Sequence, residues 1–228
     1  MSLTIPRDKL NTAAGVLGIF VLCIGILWIP GGLLGLKFSD DPIIRNLINA
    51  ILQTVVLIVL PYFWAAKRLG LPPRTLGVTT KGLKAGLFWG LTLYALALMA
   101  FIHCSDDPLI SNHAVRNADY RDLSIMLFTM CIVAAGTDLT TRGFLLLTLA
   151  ESTNVYFAIA IQNLAWVVGH IAEIKLLMSC LGLELAVALT ITLGVLGDIV
   201  ALKTRNVVGL AIAHIVLNIV LVTYIRTL

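Results

Sequence analysis

Apolar residues run through this chain in blocks longer than a half-buried strand or an ordinary surface helix would need. Read between charged or Pro/Gly-rich breaks, the blocks cover about 12–35, 43–65, 82–104, 122–150, 154–174, 177–202 and 207–225. A helix needs about 20 apolar residues to cross a bilayer, and each block is close to that length. The pattern predicts an all-α fold, a polytopic transmembrane helical bundle of about seven to eight spans. The first block ends in PGGLLGLK, and that tail is expected to re-enter the membrane or to lie at its interface.

Composition agrees with the pattern. Of 228 residues, 59% are hydrophobic and 12% charged, with a mean hydropathy of +0.99, which is not the make-up of a water-soluble globule. Residues 1–228 are therefore expected to form a single integral membrane domain. The opening MSLTIPRDKLN leads into an apolar run without a small-residue cleavage motif, so it is read as a retained first span. Cys23, Cys104, Cys131 and Cys180 show no ligand spacing, and neither a disulfide framework nor a cysteine zinc site is expected.

The net charge of +4 and a pI near 9.0 follow from the positive-inside rule without a nucleic-acid partner. The loop KRLGLPPRTLGVTTKGLK carries Lys67, Arg68, Arg74, Lys81 and Lys84, whereas SDDPLISNHAVRNADYRD sets Asp106, Asp107, Asp119 and Asp122 against Arg116 and Arg121. Residues 66–82 are expected in the cytoplasm and 105–121 outside. Arg7, Lys9, Lys203 and Arg205 then fall on the inner side. The expected setting is the cytoplasmic membrane of a prokaryote, with the N-terminus inside.

Against this background the polar groups within the blocks stand out, because an ionisable side chain in lipid is costly unless it is paired or used. In GTDLTTRGFLLLTL, Asp138 and Arg142 are four residues apart on one helical face, beside Thr137 and Thr141. A structural ion pair would account for them equally well. QNLAWVVGHIAE aligns Asn163, Trp166, His170 and Glu173 on one stripe, and GLAIAHIVLN puts His214 and Asn218 on one face. Two histidines from two helices, an amide and a nearby carboxylate could hold a divalent metal or a water to be activated.

The segments TDLTTRGFL, WVVGH and HIVLN, in that order, resemble the motifs of the CPBP family, the CAAX prenyl proteases and Abi-type bacteriocin-processing intramembrane proteases. KTRNVVGLAIAH is similar to the turn that leads into the family's last motif, with Arg205 and Asn206 in place of Gly-Ser. The likeness gives a family-like catalytic core at about 122–226. It implies that His170 and His214 are ligands or polarisers, holding one divalent ion such as zinc if a metal is bound. Asn218 would stabilise the developing oxyanion, Arg142 would be a structural partner of the second acidic position, and Trp166 a wall of the site.

The first motif departs from the family, with Thr137 and Asp138 where it has two adjacent glutamates. A threonine hydroxyl cannot take a proton from water near neutrality. Asp138 is then the candidate catalytic base, with Asp198 as an alternative that reads more simply as an interfacial residue. Glu184 is another carboxylate in the apolar region, or one near the outer interface. The expected function is an intramembrane endopeptidase acting on a membrane-associated or lipidated protein or peptide. The alternative is a catalytically degenerate relative, serving as membrane scaffold, regulator or immunity protein. A small transporter using Asp138, His170 and Glu184 is the third class, although no inverted halves are visible. In the expected architecture the fourth, fifth and seventh spans bring Asp138, His170, His214 and Asn218 around one polar cavity.

Overall fold

The structure is a computed structural model that describes residues 7–28, 39, 41–107, 110 and 118–227. Among these residues every regular element is a helix, with no strand. In chain order the helices are α1 (Arg7–Trp28), α2 (Pro42–Thr54), α3 (Leu60–Trp64), α4 (Leu83–His103), α5 (Tyr120–Asp138), α6 (Leu147–Ser152), α7 (Val155–Gly169), α8 (Ile171–Leu181), α9 (Leu183–Thr204) and α10 (Val208–Thr227). Three wider π-helical stretches, Val55–Val59, Ala65–Leu69 and Leu139–Leu146, continue the second and fourth spans. The tail PGGLLGLK lies outside the described residues.

Among the described residues six helices are long and apolar enough to cross a membrane, and α7 with α8 makes a seventh when counted as one bent span. The fifth block is not the straight helix that its apolar pattern predicts. It breaks at His170, and α7 and α8 meet at 74°. At 15 residues and about 1.5 Å per residue, α7 falls short of a hydrocarbon core about 30 Å thick. Hydropathy alone does not register such a bend, because both arms are equally apolar.

Helix α10 packs along α4 and α5, α9 fits between α4 and α7, and α2 lies on α5. One hydrophobic core, including Phe144, Leu145, Leu146 and Leu149, sits where α1, the fourth span and α7 meet. The basic loops gather at that end. Arg205 pairs with Glu151, Val207 N–H donates to the Gly77 carbonyl at 3.0 Å, and Asn206 Nδ2 donates to the carbonyls of Thr79 and Lys81. Asn206 also caps α10, its Oδ1 accepting from Gly209 N–H at 2.8 Å. Arg205 has φ 52°, the left-handed region that glycine enters freely and arginine seldom does.

At the opposite end Cys104, closing α4, is bonded to Cys180 of α8, with Cα atoms 5.7 Å apart. This corrects the expectation from spacing. The two cysteines are 76 residues apart in sequence, and only the packing of two helix ends brings them together. Cys23 and Cys131 are free thiols.

Candidate functional site

The polar stretch of the fourth span begins where α5 passes into the π-helical turns of 139–146. In lipid every backbone carbonyl needs a donor, and here the second and fourth spans serve each other. The Thr140 hydroxyl donates to the Leu57 carbonyl, and the Tyr62 hydroxyl donates to the Leu139 carbonyl at 3.1 Å. Thr141 bonds back to the Thr137 carbonyl at 2.8 Å and accepts from Gln162 at 3.3 Å. These contacts fix the helix face that carries Asp138 and Arg142.

Arg142 is buried, ion-paired with Asp138 through Nη1 and lying 3.4 Å from Asp198 Oδ1 through Nε. Its guanidinium rests 3.9 Å from the centre of the Trp166 ring, a cation–π contact that strengthens away from water. Gly197 makes room for it, because a Cβ there would strike the guanidinium. Asp198 is fully buried, and it faces the arginine from α9.

Asp138 is also fully buried. The Tyr94 hydroxyl donates to its Oδ2 at 3.2 Å while accepting from Arg142 Nη1 at 3.2 Å. His214 Nδ1 lies 3.1 Å from the same Oδ2, and its ring stacks on Tyr94 with centroids 4.7 Å apart. Tyr94 escaped the reading of the sequence, in which the first half supplied only apolar helices. The one available signal was a hydroxyl inside an apolar span, which usually has a partner when buried.

His170 sits at the helix break, with Nδ1 2.8 Å from the Trp166 carbonyl and its ring 3.9 Å from that of Trp166. The two imidazoles lie 6.1 Å apart, nearly parallel at 19°. Each has its Nδ1 committed to a protein acceptor, so each presents Nε2 as the free nitrogen. Asn218, one turn beyond His214, donates to the Met130 carbonyl at 3.3 Å.

Two cavities meet at this point. One of about 230 Å³ runs between α4, α8, α9 and α10 with mostly apolar walls that include Trp166, Leu177 and Leu221. The other, about 160 Å³, reaches Thr129 and Thr137 on α5. His170, Glu173, His214 and Asn218 line both. His170, His214 and Asn218 thus border both cavities, with Trp166 on the larger and Thr137 on the smaller, while Asp138 and Arg142 line neither. Glu184 lies exposed at the start of α9 and lines neither.

A metal-binding histidine typically anchors its second ring nitrogen on a carboxylate or a backbone carbonyl, and both histidines here do so. The donor set offers two such nitrogens. Among the described residues no three His, Cys, Asp or Glu side chains are placed to hold a metal ion together.

Residues 120–220 match a family model described as "Type II CAAX prenyl endopeptidase Rce1-like". No curated protein and no solved structure matches the chain. The matched stretch contains all three motifs and Thr137, Asp138, Arg142, Trp166, His170, Glu173, Asp198, His214 and Asn218, whereas Tyr62, Tyr94 and Leu221 lie outside it. The part of the chain that carries the site, residues 120–220, is by that match similar to the type II CAAX prenyl endopeptidases.

Proposed function

We propose that this protein is an intramembrane endopeptidase that hydrolyses a peptide bond of a lipidated or membrane-associated protein or peptide, with the attacking water held between His170 and His214. The observation that carries the reading is the pair of near-parallel imidazoles, each pinned through Nδ1 and each bordering both cavities. An open space bounded by two free ring nitrogens suits one water, and Asn218 is close enough in the same walls to steady the oxyanion that forms. Asp138 positions His214, while Arg142 and Trp166 hold that carboxylate in place. The apolar cavity gives a lipid-modified segment a surface to lie against.

A divalent ion, if bound, would be held by His170 and His214 and would lower the pKa of its water. Metal analysis reads this directly, as about one equivalent in the wild type and none in the His170→Ala/His214→Ala double variant. A second reading, a regulator or immunity protein that binds a partner without cutting it, is favoured by Thr137, which cannot replace a glutamate as base.

The experiment that decides between them uses the purified chain in proteoliposomes and a fluorescence-quenched, prenylated CAAX peptide. The wild type is expected to cleave it, and His170→Ala to lower turnover about a hundredfold, in the range of acid–base catalysis. Folded wild-type protein that cleaves no such peptide would leave the binding role standing.

We also propose that the basic end, residues 66–82 and 203–205, faces the cytoplasm. The Cys104–Cys180 bond at the opposite end supports this orientation, because disulfides persist in oxidising compartments. A membrane-impermeant reductant is expected to open that bond in intact cells and to leave it closed in sealed inside-out vesicles. The opposite pattern would invert the topology.

A further inference from the structure

The geometry points to Glu173 as the group that deprotonates the attacking water, the task for which position 137 has no carboxylate. The inference rests on the endopeptidase reading above and deepens it. Four carboxylates are candidates for the task, and the packing separates them. Asp138 is fully buried and engaged by Arg142, Tyr94 and His214. Asp198 is equally buried and lies against Arg142. Glu184 borders neither cavity. Glu173 is the one carboxylate, among the described residues, on the wall of either cavity, and it lines both.

The helix break puts it there. α7 ends at Gly169, His170 takes φ −107° and ψ 20°, and α8 starts immediately at 74° to α7. Glu173 therefore stands in the first turn of α8 and borders the space around His170, His214 and Asn218. Thr137 borders the smaller cavity from α5. A carboxylate on either wall looks into the same 160 Å³, room enough for a water at about 30 Å³ of liquid volume.

The chemical step balances without a further reagent. Glu173 takes one proton from the water, whose oxygen forms a bond to the carbonyl carbon as the C=O π pair moves onto oxygen. When that pair returns, the C–N bond breaks and Glu173 passes its proton to the departing nitrogen. The products are a carboxylic acid and an amine. One carboxylate thus serves first as base and then as acid.

The test uses the full chain in proteoliposomes with the prenylated CAAX peptide, and compares wild type, Glu173→Gln, Thr137→Glu and the double variant Thr137→Glu/Glu173→Gln. Glu173 is exposed and borders both cavities, so its amide should leave folding and thermal midpoint unchanged. Glu173→Gln is expected to lower kcat about a hundredfold with KM within threefold. Adding Thr137→Glu should restore at least tenfold by supplying the carboxylate from the opposite wall. Turnover of Glu173→Gln within threefold of an active wild type overturns the inference and leaves the endopeptidase reading intact. A loss that Thr137→Glu does not recover gives Glu173 a structural part, which also overturns it. If wild type and Thr137→Glu both cleave nothing, the endopeptidase reading falls, and the assignment of Glu173 with it.

Discussion

Arg142→Met is expected to lower the stability of the folded bundle by about 3–5 kcal/mol, the range for breaking a buried ion pair by removing one partner. The guanidinium is the cation between two fully buried carboxylates, Asp138 on its own helix and Asp198 on α9. Without it, both must carry charge away from water or take up protons. Methionine would keep a flexible apolar stem against Trp166 but would restore neither pairing. Lysine would keep the charge but not the planar group that lies on the indole and spans both acids, so Arg142→Lys should recover only part of the loss. The measurement is the thermal midpoint in one detergent. The triple change Arg142→Met/Asp138→Asn/Asp198→Asn, which removes the whole charge set, should melt above Arg142→Met alone. An Arg142→Met variant that melts with the wild type would show that the guanidinium does not hold these helices together.

That arginine also marks where sequence patterns stop being informative. Asp138 and Arg142 could be paired from their spacing, because an interval of four on a helix is a local relation. Their partners come from distant helices, Tyr94 from α4, Asp198 from α9 and His214 from α10, and no local periodicity encodes such meetings. His170 and His214 were legible for another reason. A titratable group in an apolar run is conspicuous wherever it sits, and three motifs in order gave these two a shared context.

Glu173 shows the opposite case. On the straight span that the apolar pattern predicts, it shares a stripe with Asn163, Trp166 and His170. In the structure Asn163 and Trp166 are buried on α7, while Glu173 lies beyond the bend on a cavity wall. The pairing of Cys104 with Cys180 was illegible in the same way, since it depends on where α8 ends after that bend. Hydropathy registers how much apolar surface a segment has, and it carries no information on the angle at which two apolar segments meet.

His214→Ala is expected to reduce kcat on the prenylated peptide about a thousandfold, within the range for losing a group that handles protons or holds the reacting water. KM should change little, because the apolar walls that would hold the substrate remain. Asp138→Asn should reproduce much of that loss with His214 still present. The Asp138 carboxylate lies 3.1 Å from Nδ1 and so orients the ring with Nε2 on its far side. A neutral amide would hold the ring less strongly and could present its NH₂ instead. The logic is that of a buried aspartate orienting a histidine, and in the proposed mechanism the aspartate would act through the ring without touching the water. Tyr94→Phe removes one hydroxyl from Asp138 but keeps the ring stacked on His214, so its loss should stay within about tenfold, the scale of one hydrogen bond. Melting curves of all three variants separate a misplaced ring from a damaged fold. If Asp138→Asn raised KM with kcat unchanged, the aspartate would belong to substrate binding. If His214→Ala kept more than a tenth of the turnover, the water would not be held between the two imidazoles.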